Sequence, residues 1–325
     1  MMGRMAALGA AGMSVGLVAC VQAPDLSAIE AEKARAVQRS DQFQAAASDG
    51  RQRVSAGGGS VLVTSADGGK TWAREVLPTP SSVVAMSACP DGTFVALDFY
   101  RKVWIGDRAG GAWKPKAIDG DFNPIDIACD PQNRLWVVGS YSTVLMSADL
   151  GQTWAAQPPG EDAILTNVQF VDAEHGYIAG EFGTLLVTAD AGVTWTRQAG
   201  LPEAFYPYAM NFTDARTGWL SGLAGSVLHT IDGGLTWTAQ SNPAAAPLYA
   251  LLPVGDALFG VGGGGKVFRL EGDSWTLVPG APRFPADLAA AAALAPQALL
   301  VAGGSGALAV VDVLPLAPAT EGGQP

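Results

Sequence analysis

A chain of 325 residues that is 49% hydrophobic and 15% charged, with 41 glycines and nine tryptophans, is too apolar for a disordered polymer and long enough for a large core. A net charge of −11 denies it the basic face that nucleic-acid binding requires, and two histidines with three cysteines leave little for a metal cage. No nucleic acid, metal or cofactor is therefore expected.

At the N-terminus, Arg4 is followed by an apolar run, Met5 to Val18, too short and too rich in small residues for a membrane span. Residues 1–19 have the form of an export signal. The junction Leu17-Val18-Ala19-Cys20 resembles the bacterial lipobox, which implies lipidation of Cys20 and its exposure as the first mature residue. An ordinary secretory signal with a chance cysteine is the plainer alternative. Val21 stands where an inner-membrane retention signal usually has Asp, so the resemblance to Gram-negative lipoproteins implies the outer membrane rather than the inner, on its periplasmic face. Residues 20–41 are polar and rich in Ala and Glu, and read as a short helix or flexible tether holding a body near the membrane.

Beyond the tether the chain repeats. Four segments match Ser/Thr-x-Asp-x-Gly-x-Thr-Trp, from Ser65 to Trp72, Ser147 to Trp154, Thr188 to Trp195 and Thr230 to Trp237, with degenerate copies ending at Trp113 and Trp275. The six tryptophans are 38 to 42 residues apart. Upstream of each lies a strand ending in a small-residue turn, starting at Gly57, Asp98, Gly139, Gly180, Gly222, Gly262 and Gly303. A unit of four short strands cannot bury its own faces, but a radial array covers each sheet with its neighbour. The pattern predicts an all-β fold, a seven-bladed β-propeller of four-stranded antiparallel blades over residues 42–313, with 314–325 as a flexible tail. A solenoid is the alternative, but it would need caps. The last copy is one strand short, so a segment around residues 35–44 is expected to supply that strand and close the ring.

In one blade, strand A is expected near Asn167 to Val171, B at Gly176 to Gly180, C at Thr184 to Thr188 and D from Trp195. The box then falls on the C–D turn, where Asp67, Asp149, Asp190 and Asp232 can accept turn N–H groups and Trp72, Trp154, Trp195 and Trp237 can pack between sheets. This is a structural role, since single carboxylates about 40 residues apart on different blades do not converge on one ion. Cys89 and Cys129 fall at equivalent ends of strand A in blades two and three; a disulfide is open to them, but two buried thiols is the preferred reading.

The B–C turns and D–A loops share the face opposite the boxes. On it we place Phe99, Tyr100 and Arg101, Tyr141, and Glu181 with Phe182 from three B–C turns. The D–A loops add Asp119, Asp121 and Phe122, then Phe205, Tyr206 and Tyr208. Aromatics with a sparse Arg suit a protein interface; rings that simply plug the central channel are the competing reading.

The box resembles the BNR or Asp-box repeat of sialidases, sortilin-type receptors and many exported propellers. The fuller unit from Phe212 through Gly218-Trp219-Leu220-Ser221-Gly222 to Trp237, and its counterpart from Phe170 to Trp195, resemble the repeat of the photosystem II stability and assembly factor family. That resemblance implies a non-catalytic seven-bladed propeller that binds a membrane-protein assembly intermediate. The arginine-rich patch associated with photosynthetic members has no counterpart in the scattered arginines here. What carries over is an exported, membrane-anchored scaffold for an envelope complex, such as a transporter, acting as a monomer. The alternative is a sialidase-like glycosidase or glycan-binding propeller. Against it, no Arg-Ile-Pro motif occurs, His175 and His229 have no partner His or Cys nearby in sequence, and no Gly-x-Ser-x-Gly elbow precedes a helix.

Overall fold

A computed structural model describes residues 25–107, 111–157, 162–294 and 297–313. The export signal, Cys20 and the C-terminal tail lie outside the described residues. Contacts divide the chain into two units, 1–35 and 36–325. In the first, helix α1 (Ser27–Lys33) buries no side chain, and carries Glu30 in its first turn and Lys33 in its last, the signs that favour the helix dipole.

The second unit is a ring of seven antiparallel sheets. Blade one is β1 (Ala45–Ser48), β2 (Val54–Gly58), β3 (Val61–Ser65) and β4 (Ala73–Val76). Blade two is β5 (Val83–Ala88), β6 (Phe94–Asp98), β7 (Lys102–Ile105) and β8 (Lys114–Ala117). Blade three is β9 (Pro124–Cys129), β10 (Leu135–Gly139), β11 (Val144–Ser147) and β12 (Ala155–Gln157). Blade four is β13 (Leu165–Phe170), β14 (Gly176–Gly180), β15 (Thr184–Thr188) and β16 (Thr196–Gln198). Blade five is β17 (Pro207–Phe212), β18 (Gly218–Gly222), β19 (Val227–Thr230) and β20 (Thr238–Ala239). Blade six is β21 (Leu248–Val254), β22 (Ala257–Gly262), β23 (Lys266–Glu271) and β24 (Ser274–Leu277). Blade seven has three strands among the described residues, β25 (Leu288–Leu294), β26 (Ala298–Gly303) and β27 (Leu308–Asp312).

Burial runs outward from strand B. The second strands β2, β6, β10 and β14 are buried at every position, because both of their faces meet a neighbouring sheet, and they read as continuous apolar or small-residue runs rather than alternating ones. The fourth strands face solvent, β8 along its whole length. Among the first strands, β1 and β25 alternate between buried and half-buried positions, whereas β9 and β13 bury every third residue; β25, Leu-Ala-Ala-Ala-Ala-Ala-Leu, shows the strict period of two, with its small side chains toward the axis where seven strands converge. Each first strand packs against the next, and β25 packs against β1, so the ring closes.

Closure differs from the sequence expectation. Residues around 35–44 do not add a strand to β27; they form a link. Gly306 donates its N–H to Asp41 O at 2.8 Å and Phe43 donates to Gly303 O at 3.1 Å. Arg74 clamps the link to blade one, with Nη1 and Nη2 on the two Asp41 oxygens at 2.8 and 2.9 Å and Nη1 also on Ala36 O at 3.0 Å. A bidentate, nearly buried ion pair holds geometry as well as charge, so a strand is not needed to fix the seam.

The cysteines also depart from the preferred reading: Cys89 and Cys129 form a disulfide, with Cα atoms 5.0 Å apart. Blades converge toward the axis, so equivalent ends of neighbouring first strands approach within bonding range despite 40 residues of separation.

The four boxes are built alike. Asp232 Oδ2 accepts from Thr236 Oγ1 at 2.6 Å and Oδ1 from Thr236 N–H at 2.9 Å and Thr230 Oγ1 at 2.8 Å; Asp67, Asp149 and Asp190 repeat these bonds with Thr71, Thr153 and Thr194. The hydrogen bonds from those threonines hold Asp67, Asp149 and Asp232 down at about 2. The turns need glycine: Gly192 has φ +79°, and a Cβ there would lie 2.2 Å from the Trp136 ring of the preceding blade. Trp72, Trp154, Trp195 and Trp237 are half-buried, each against the inter-sheet core.

Candidate functional site

The B–C turns and the starts of the first strands lie at one end of the ring, since antiparallel pairing sets Leu165 opposite Gly180 and Pro207 opposite Gly222. Phe99, Tyr100, Tyr141, Phe182 and Tyr208 are exposed on this end. Phe99 and Tyr100 meet edge to face at 5.7 Å, and Phe182 and Tyr206 do the same at 5.7 Å, so the rings form two pre-packed pairs. Arg101 reaches the exposed Asp121 at 3.8 Å, and Glu181 is half-buried beside Phe182.

Two of the expected face residues are elsewhere. Phe122 (5% exposed) and Phe205 (8%) are core residues. Each D–A link crosses over the end of strand B in its own blade, where glycine leaves room for a ring: Phe122 fills the space over Gly139 and Phe205 the space over Gly222. A Cβ on Gly139 would stand 2.2 Å from Asn123 O. Tyr208 belongs to β17 rather than to the loop before it, and points toward the axis, where it meets Tyr249 at 5.3 Å.

Backbone conformation marks the same turns. Tyr141, Phe182, Ala224 and Ser305 occupy the left-handed region at φ 56° or 57°, where blade six has Gly264. A bulky residue there costs about 1–2 kcal/mol relative to a relaxed conformation. Tyr141 and Phe182 thus hold large rings outward at positions where glycine would be unstrained.

Sequence reasoning missed two carboxylates behind these turns. Asp98, fully buried, accepts from Tyr100 N–H at 2.5 Å and from Trp104 Nε1 at 3.1 Å, and so fixes the Phe99–Tyr100 turn. Asp126, on β9, faces the axis. Its Oδ1 accepts from Ile127 N–H and its Oδ2 from Val168 N–H of the next blade, both at 2.9 Å. Burial nevertheless pushes it up to about 7. An aspartate where the period calls for a small or apolar residue was the available signal.

The first strands of all seven blades line a cavity of about 380 Å³ at this mouth. His175 and His229 are not part of it. His175 pairs with Asp172 at 2.9 Å in the A–B turn, and His229 stacks on Trp219 at 4.5 Å between sheets. No group of three or more metal-ligating side chains occurs among the described residues.

The model of the family described as "Photosynthesis system II assembly factor YCF48" matches residues 106–187 and 158–239. The two matches overlap and together span residues 106–239 of this chain. A relative, the photosystem II assembly lipoprotein Ycf48 of Prochlorococcus marinus, is 32% identical over 106 residues. The matched stretch is 31% of this chain and 31% of the relative, so this chain covers about a third of that protein's length. Solved structures of family members share the fold. YCF48 bound to D1 peptide superposes with a TM-score of 0.66 at 15% identity, covering 85% of this chain and 94% of that one. YCF48 from Cyanidioschyzon merolae gives 0.69 at 14%, covering 84% and 96%. The virginiamycin B lyase of Staphylococcus aureus gives 0.72 at 13%, covering 85% and 96%, a likeness of fold alone.

Proposed function

We propose that this protein is a non-catalytic scaffold for the assembly of a membrane-protein complex, exported, anchored through a lipidated Cys20 at the periplasmic face of the outer membrane, and binding its partner through the B–C face. The observation that carries this reading is the outward display of Tyr141 and Phe182 from strained left-handed turns, beside the Phe99–Tyr100 pair. Rigid aromatic rings supply contact area at little entropic cost, which is what an interface anchor needs. The likeness to this family supports it, because one solved YCF48 structure is bound to a D1 peptide and a relative is named as an assembly lipoprotein.

The test is in-cell cross-linking followed by affinity purification from membranes, with the co-purifying proteins identified by mass spectrometry. One stoichiometric membrane protein is the expected result. Tyr141→Gly and Phe182→Gly should abolish its capture while leaving the fold intact, since both positions have backbone angles that glycine adopts freely. Capture that is unaffected by these changes would remove the B–C face from the interface.

A further inference from the structure

The channel mouth carries chemistry that the exposed rings do not account for. Among the described residues its wall holds no Lys, Arg or His, and Asp126 is its sole acidic residue. A half-buried carboxyl with no counter-charge beside it is disfavoured as an anion, and two backbone N–H bonds offset this only in part. Across the same cavity, Tyr208 and Tyr249 present an edge-to-face pair, and neither phenol is hydrogen-bonded to another described residue. The remaining wall is largely alanine from β1, β5, β21 and β25, which keeps the space open.

We propose that the mouth of the channel binds one cationic side chain, a lysine ammonium or an arginine guanidinium, presented by an exposed segment of the partner, with Asp126 as counter-charge and Tyr208 and Tyr249 as aromatic walls. The partner as source of that side chain rests on the reading in the preceding subsection; the site itself rests on the cavity. A cation restores the ionised form of Asp126, while aromatic faces attract the same charge through their quadrupoles. The volume of about 380 Å³ admits a side chain and its flanking backbone, not a folded domain. The overall charge of −11 favours approach of a basic segment.

The site should respond to pH. Strands β5, β6, β10 and β13 pack against β9, and Asp98 at the end of β6 is the one charged residue on them; its carboxylate is taken up by Tyr100 N–H, Trp104 Nε1 and Lys102, while Thr166 and Asn167 are uncharged, the phenols of Tyr208 and Tyr249 are the other titratable groups of the wall, and Asp287 acts on Tyr249 from beyond it. With Asp126 at about 7, the ionised fraction falls about tenfold between pH 8 and pH 6, and affinity for a cation falls with it.

The experiment titrates the full chain, purified in detergent, with acetyl-Gly-Lys-Gly-amide and with its norleucine counterpart, following the carboxyl and ring signals by NMR. We expect the lysine peptide to bind more tightly by at least about tenfold at pH 8, to lose about tenfold in affinity at pH 6, and to lower the Asp126 titration midpoint. Asp126→Asn should erase both the preference and its pH dependence, and Tyr249→Ala should weaken binding about threefold. Should Asp126→Asn fail to fold, the pH dependence and midpoint shift of the unmutated chain decide. Equal binding of the two peptides, or saturation by methyl glucoside with no lysine preference, overturns the proposal. A lysine-specific site with no membrane protein captured in cells upholds this inference while the scaffold reading fails; capture of a partner without lysine binding does the reverse.

Discussion

Gln169 holds Phe212 by both ends of its amide: Nε2 donates to Phe212 O at 2.9 Å, and Oε1 accepts from Phe212 N–H at 2.8 Å. The pair joins the C-terminal ends of the first strands of blades four and five, and gives both backbone groups of Phe212 a partner. Gln169→Ala should cost about 2 kcal/mol in urea unfolding, because two partly buried backbone groups lose partners. Gln169→Glu should cost a similar amount, since a carboxylate cannot donate to the Phe212 carbonyl; a change below about 0.5 kcal/mol in both would show the clamp to be dispensable.

The Cys89–Cys129 disulfide joins blades two and three. Closing a loop of 40 residues removes chain entropy from the unfolded state, so reduction or a Cys89→Ser, Cys129→Ser double change should lower stability by about 2 to 4 kcal/mol. Non-reducing peptide mapping should recover the linked pair from protein isolated from the envelope, and recovery of two free thiols would contradict it.

The boxes should govern acid sensitivity. Their hydrogen bonds hold Asp67, Asp149 and Asp232 at about 2, below the unfolded value of 3.8. Their contribution is therefore fully present above about pH 4 and is lost as pH falls toward about 2. Asp232→Asn should lower the melting temperature at pH 7 and leave it unchanged at pH 2; an equal loss at both pH values would show that the charge is not what matters.

His229 works in the same direction, at higher pH. Burial against Trp219 lowers its affinity for a proton, and Nε2 is buried with no hydrogen-bond partner among the described residues. A histidine whose folded value lies below its unfolded value of 6.5 stabilises fully above that pH, and the stability falls as pH drops below it. Asp126, held up at about 7, adds stability as pH falls through the same range, so the His229 part is read as a difference: the melting temperature of His229→Phe, which keeps the stack, should gain on that of the unmutated chain from pH 7.5 to pH 5. A difference that does not change with pH would remove His229 from the pH response.

The short-range pattern of this sequence carried the architecture. A recurrence of Asp, Gly and Trp about every 41 residues counts the blades, and Gly176 to Gly180 and Thr184 to Thr188 are strands with the bounds that the pattern predicts, because period and turn chemistry act within a few residues. The three-dimensional arrangement decided what depends on blades meeting one another. It joined Cys89 to Cys129 because neighbouring first strands converge at the axis, and it drew Phe122 and Phe205 into the core because glycines at the ends of β10 and β18 leave space for rings. It closed the seam through Arg74 and Asp41 rather than through an added strand, since one bidentate pair fixes the link. Asp126, an aspartate where the period calls for a small or apolar residue, became the one acidic residue among the described residues of a shared channel wall once seven first strands were placed around one axis, a setting that only that convergence confers.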